Sequence, residues 1–210
     1  MPELLLEFFS EEIPARMQKR AEEDLARMLG EALSEAGLPK AKMRTLSGPR
    51  RVAVIVDDLP ARAADVNEER KGPRVGAPEK ALEGFLKAAG LSKIEDAQIQ
   101  KDPKGDFYVA RISKTGRDTA EIIADAVPKI ARAFPWPKSM RSGRSEFIWV
   151  RPLHSVLCIF DGAPVRFEVG PVASGAETWG HRFHKPGAIG IKSAGEYEAK
   201  LRDAFVIADR

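Results

Sequence analysis

The sequence predicts an α+β fold: a mixed sheet with packed helices, carrying an inserted helix-hairpin-helix subdomain. Three observations predict it. Short apolar runs of strand length lie towards both ends of the chain. Longer stretches repeat their apolar residues at helical spacing. Between two such helical stretches, residues 98–112 read as two short strands around a turn. The expected division is a discontinuous core, 1–76 and 135–210, with residues 77–134 inserted as an α-β-β-α subdomain.

Taken in order, Leu4-Leu5-Leu6-Glu7-Phe8-Phe9 is a short apolar run and reads as a buried strand. Ser10 reads as a helix N-cap, with Glu11 and Glu12 in the first turn, where the helix dipole favours negative charge, and Pro14 tolerated behind them. Met17, Ala21, Leu25, Met28, Leu29, Ala32 and Leu33 continue at helical spacing to a stop at Gly37. Arg51–Leu59 is rich in β-branched residues and predicts a second strand. The stretch on to Pro78, with Gly72-Pro73 and Gly76, reads as a connecting loop. Pro78–Ala89 predicts a helix ending at Gly90. Gln98–Lys101 and Phe107–Ile112 predict a hairpin turning at Asp102-Pro103-Lys104-Gly105. Thr119–Phe134 predicts a helix that Pro128 should kink or break. Strands follow at Phe147–Val150, Ser155–Phe160, Val165–Val169 and Ala188–Lys192, with Asp161-Gly162 as a hairpin turn. A short helix at Gly195–Leu201 and a terminal strand at Phe205–Ala208 complete the chain. Two strand-like ends raise the option that they pair.

Composition narrows the function classes. With 43% apolar and 31% charged residues in 210, the chain has the makings of a packed core and not of a disordered segment. The single cysteine, Cys158, excludes an internal disulfide and a multi-cysteine zinc site, and its apolar surroundings predict a buried, inert thiol. No apolar run nears the roughly 20 residues of a membrane helix. The start lacks the basic region of a signal peptide. A soluble, cytoplasmic protein is the expectation.

The net charge of +3 conceals an uneven distribution. Glu3–Glu31 carries eight acids and four bases. Lys40–Arg51 carries five bases and no acid, and Lys138–Arg151 four bases and one acid. Val172–Pro186 adds His181, Arg182, His184 and Lys185 against Glu177. Brought together, such segments would suit phosphates; apart, they are solvated faces.

Self-sufficient catalytic motifs are missing. There is no GxxxxGK[ST] phosphate loop, GxGxxG unit, GxSxG elbow or HExxH helix. His181 and His184 lack a third ligand nearby, and Arg182 between them would repel a cation, so structural or anion-binding roles come ahead of metal binding. Glu11 and Glu12 could be acid–base groups, but adjacent helical residues point apart, and the dipole explains them.

Four local sequences remain: Phe8-Phe9-Ser10-Glu11-Glu12-Ile13-Pro14-Ala15; Gly48-Pro49-Arg50-Arg51 entering a strand; Pro137-Lys138-Ser139-Met140-Arg141 with Arg151-Pro152-Leu153-His154 after it; and Trp179-Gly180-His181-Arg182-Phe183-His184. With Lys71-Gly72-Pro73, their order and spacing resemble the N-terminal part of the beta subunit of bacterial heterotetrameric glycyl-tRNA synthetase, over essentially the whole chain. Two features depart from that pattern. Ser142 stands where the family usually has Trp. The chain also stops near residue 210, where family members run several hundred residues further, so it resembles an N-terminal fragment without the phosphohydrolase-like and anticodon-binding domains.

The resemblance implies a ligase subunit. The holoenzyme joins glycine to its tRNA using ATP and Mg. The alpha subunit carries the catalytic core, and the beta subunit supplies most tRNA recognition. This fragment would bind no cofactor and catalyse nothing alone. Its partners would be the alpha subunit and tRNA-Gly, with neither membrane nor DNA. Candidate contacts to tRNA or partner are Arg50, Arg51, Lys138, Arg141, Arg144, Arg151, His181 and Arg182. Trp136, Phe183 or Tyr108 could stack on an unpaired base if exposed. Against these stand structural readings: ion pairs from Arg50 and Arg51 to an acid such as Glu11 or Glu12, a hydrogen-bonded core position for His154, and core positions for Trp136 and Trp149. Two other functions remain open. One is a hydrolytic editing-like domain acting on aminoacyl-tRNA through His154, His181 and Arg182. The other is a purely structural interface.

Overall fold

A computed structural model describes residues 2–102 and 105–209. Pro103 and Lys104, in the expected hairpin turn, lie outside these residues. In chain order the elements are β1 (Leu4–Ser10), α1 (Ala15–Glu35), β2 (Met43–Gly48), β3 (Arg51–Val56), β4 (Val66–Arg74), α2 (Glu79–Ala89), β5 (Gln98–Gln100), β6 (Phe107–Lys114) and α3 (Thr119–Arg132). Then come β7 (Met140–Arg141), β8 (Ile148–Trp149), β9 (Leu153–Phe160), β10 (Ala163–Pro164), β11 (Glu168–Val169), β12 (Val172–Gly175), β13 (Glu177–Trp179), β14 (Ala188–Gly190) and α4 (Ala194–Asp203). The chain forms two units, Met1–Ala63 with Arg117–Arg210, and Ala64–Gly116.

The larger unit is built on a mixed sheet of order β11-β12-β9-β1-β3-β2, with β10 on β9. All its pairings are antiparallel except β12 with β9. The apolar run at the start becomes the central strand, buried along its length. Alternation sorts its side chains onto two faces. Leu4, Leu6 and Phe8 pack with Val52, Val54, Val156 and Cys158 beneath α1 and α3. Leu5, Ala53, Ile55, Leu157 and Ile159 pack on the other side with Tyr197 and Leu201 of α4. Cys158 is buried, and desolvation pushes its thiol pKa up, as expected of an inert core cysteine.

The smaller unit is a three-stranded antiparallel sheet, β4-β6-β5, with α2. Phe85, Ala89, Ala97 and Ala110 form its core. A side chain at Gly72 would come within 2.7 Å of the Phe85 ring, so only glycine lets β4 pass. The register shifts at Gly72-Pro73, where proline has no N–H to donate.

Several expectations are corrected. Ser10 belongs to the strand, and the helix starts at Ala15 behind Pro14. The Ser10 and Glu11 amides donate to Arg50 and Pro152 carbonyls, which holds 10–11 against neighbouring segments rather than in a helical turn. The inserted helix-hairpin-helix subdomain is not reproduced. The hairpin β5–β6 forms, but β4 joins it, and α3 packs through Ile122, Ile123 and Val127 into the larger unit's core. Helical spacing shows that a segment has an apolar face, not which sheet receives it. Helix α3 also runs through Pro128 unbroken. β2 and β4 form within a stretch that is basic and one that has the sequence of a loop. No terminal strand forms: Phe205 has φ 58°, Phe205 and Ile207 are exposed, and β1 lies between β3 and β9. The Asp161-Gly162 turn forms with both residues at positive φ, as a type I′ hairpin turn requires.

Candidate nucleic-acid interface

Arginine placement follows from strand parity. Glu7 sits on the α4 side of β1, between Leu5 and Phe9, and Arg51 opposes Phe9 on β3. The Arg51 guanidinium therefore reaches Glu7 diagonally, donating to its Oε2 at 3.1 Å, and both residues are buried. The other bonds of the pair are supplied locally. Thr178 donates to Glu7 Oε1 at 2.5 Å, the Tyr197 hydroxyl donates to Oε2, and Arg51 Nη2 donates to the Trp179 carbonyl at 2.6 Å. Burial and the Glu7 charge push the Tyr197 phenol well above its ordinary value, so it stays a donor. Arg51 is thus a structural cation that ties β3 to the segment at Thr178–Trp179. Glu7, Thr178 and Tyr197 were not singled out from the sequence, although a lone Glu inside an apolar strand already demands a cation.

Glu11, past the end of β1, gathers a second cluster at the surface. It accepts from His154 Nε2 at 2.8 Å, from Arg182 at 2.7 Å and from Arg50 at 3.3 Å. The His154 bond chiefly, then Arg182 and Arg50, holds its carboxyl below the usual range against the opposing effect of burial. Arg50 lies 4.6 Å and Arg51 5.1 Å from the Phe9 ring centre. Burial chiefly, with the charges of Arg182 and Arg51, lowers the Arg50 guanidinium pKa, and Glu11 opposes this. His154 is therefore not a core residue: it is exposed and held to Glu11.

The Gly-His-Arg-Phe motif is a tight turn. A Cβ on Gly180 would sit 2.7 Å from that of Ala204 and 3.1 Å from two carbonyl oxygens, so glycine is required by the close approach. His181 Nδ1 accepts the amides of Phe183 and His184, each at 3.2 Å, which places the proton of the neutral ring on Nε2. His181 thus builds the turn, and Phe183 at its tip is 80% exposed.

The remaining candidates lie on and beside the β7–β8 hairpin, in which Met140 pairs Trp149 and Arg141 pairs Ile148. Its inner side is anchored by Trp149, buried against Phe8, Phe134, Trp136 and Phe147. Trp149 is core, and the half-buried Trp136 packs against that core. Lys138, Arg141 and Arg144 are exposed, and none has an ion-pair partner among the described residues. Arg151 donates to the Val150 carbonyl. The half-buried Tyr108 packs against the smaller unit's core. The candidates therefore separate. Arg50 and Arg182 join at Glu11, Arg51 is buried, His181 shapes a turn, and the hairpin cations make no bond to the Glu11 cluster.

Among the described residues, no group of three or more His, Cys, Asp or Glu could hold a metal. Nor is any helix long and apolar enough to cross a membrane.

Residues 4–210 match the family model described as glycyl-tRNA synthetase beta subunit. The glycine--tRNA ligase beta subunit of Dinoroseobacter shibae (strain DSM 16493 / NCIMB 14021 / DFL 12) is 50% identical over 213 residues, covering 100% of this chain and 29% of that protein. That of Ruegeria sp. (strain TM1040) is 49% identical over 213 residues, covering 100% of this chain and 31% of that protein. The chain thus spans less than a third of the length of these relatives. Since the family match takes in the strand carrying Glu7, the hairpin and the Gly-His-Arg-Phe turn alike, the chain belongs to the glycyl-tRNA synthetase beta subunit family.

Proposed function

We propose that this chain is the N-terminal part of a glycine--tRNA ligase beta subunit, contributing tRNA-Gly binding and subunit assembly to ATP-dependent charging in the cytoplasm. The chain alone catalyses nothing. Glycine and ATP, with Mg, are handled by the alpha subunit.

The observation that carries the tRNA role is the β7–β8 hairpin with Lys138 before it. Three exposed cations there lack internal acids, while Arg51 is consumed by Glu7. Cations free of protein partners can displace counterions from an RNA backbone. Such contacts position the RNA without reading its bases. Titrating salt against tRNA-Gly binding tests the proposal. Affinity should fall steeply with salt in the wild type, and Arg141→Glu should weaken binding with the fold intact. Binding that ignores both salt and Arg141→Glu would sink the tRNA role and leave a structural interface.

A further inference from the structure

We infer that the trough formed by the entry to β3 and the 180–187 segment binds an unpaired stretch of RNA, with the Phe183 ring as the stacking platform for a base and Lys185 as the partner for a phosphate. The inference rests on the reading of an RNA ligand and adds where and in what form that RNA is held.

Two cavities of about 390 Å³ each adjoin here and share Arg50, Gly180 and Arg182. Aromatic and cationic residues line both: Arg182 and Phe183 in one, Trp179, Arg182 and Lys185 in the other. Trp179 is 38% exposed and Phe183 80%. Two carboxylates, Glu11 and Glu12, face the cations Arg50, Arg182 and Lys185. Glu11 is already occupied by three donors, and Lys185 has no ion-pair partner among the described residues. The residual charge is positive.

The backbone that presents Phe183 is fixed. The two amides bound by His181 Nδ1 and the wedge of Gly180 against Ala204 set the turn that presents it. A platform already in place spares a ligand the entropy of ordering it.

An unpaired lysine beside the ring favours RNA over a protein partner, because the centres of protein interfaces are depleted of lysine, and the exposed Phe205 and Ile207 on the wall shared with Phe183 add apolar surface for a base. The ring favours unpaired over paired RNA, because bases inside a duplex offer no face to a ring.

The test uses the 210-residue chain, its fold checked by circular dichroism, with fluorescence anisotropy of labelled single-stranded oligouridylate, duplex RNA and tRNA-Gly. The single strand should bind more tightly than the duplex. Phe183→Ala and Phe183→Leu should each weaken single-strand binding about ten-fold, while Phe183→Tyr retains it. Lys185→Ala should weaken it and flatten its salt dependence. Single-strand binding that Phe183→Leu leaves unchanged overturns the inference. So does tRNA binding that stays sensitive to Arg141→Glu when the oligouridylate does not bind, and in that case the tRNA role stands. Failure of all three RNAs to bind overturns both.

Discussion

Glu7 and Arg51 form the residue-scale centre of the larger unit, an ion pair with almost no access to water. Removing one partner strands a buried charge, so Arg51→Met should cost about 3–5 kcal/mol, read from urea unfolding midpoints. Replacing both, Glu7→Leu with Arg51→Met, should recover much of that loss, and a double variant as unstable as the single one would refute the pairing. Glu11 behaves differently because it is partly solvated. Its folded pKa is depressed, so its contribution to stability is present above the unfolded carboxylate value and fades as pH falls through the folded one. Solvent screening keeps the amount below about 1 kcal/mol. In an NMR titration Glu11 should show a low midpoint, and either His154→Ala or Arg182→Ala should raise it. An unmoved midpoint would mean that the three donors do not share this carboxylate. At this scale the sequence was half legible. Paired arginines entering a strand suggest an acid partner such as Glu11 or Glu12 for each, which holds for Arg50 with Glu11 and not for Arg51. The partner of Arg51 was hidden because strand parity pairs residues that lie 44 positions apart.

At the scale of elements, motif and shape agree most closely in the 180–185 turn. A methyl group at Gly180 would collide with Ala204 and two carbonyls. Gly180→Ala should therefore lower stability by about 1–3 kcal/mol, by thermal melting, and detach Arg182 from Glu11. An unchanged melting temperature would mean that the close approach is not required. Elements with strong periodicity were readable: β1, α1, α2, β9 and the Asp161-Gly162 turn all stand where spacing puts them. β2 and β4 were not, because their sequences, MRTLSG and VNEERKGPR, are polar or charged and gain strand form by pairing with a neighbour rather than by alternation. The helix start moved to Ala15 for a similar reason. The strand's hydrogen bonds outcompete the Ser10 cap signal.

For the whole molecule, contacts between distant segments decided what the sequence left open. The sheet order β11-β12-β9-β1-β3-β2 sets the early strands beside the late ones across the β1–β9 pairing, and local patterns do not encode it. The same distances separated the charges. Basic segments that look alike in sequence became a buried strut at Arg51, a clamp at Glu11 and a free basic hairpin. The hairpin combines exposure with unpaired charge at Lys138, Arg141 and Arg144, and the 180–185 turn does so at Lys185. The isolated chain is expected to form no glycyl-adenylate and to charge no tRNA, measured by adenylate formation and aminoacylation; either activity would contradict a binding and assembly role. The most direct measurement of that role is tRNA-Gly binding across a salt series by wild type and by Arg141→Glu/Arg144→Glu. Wild-type affinity should fall log-linearly with salt, and the double variant should bind more weakly with a shallower slope. Equal affinity and equal slope, in a variant that melts like the wild type, would contradict the basic hairpin as the contact to tRNA.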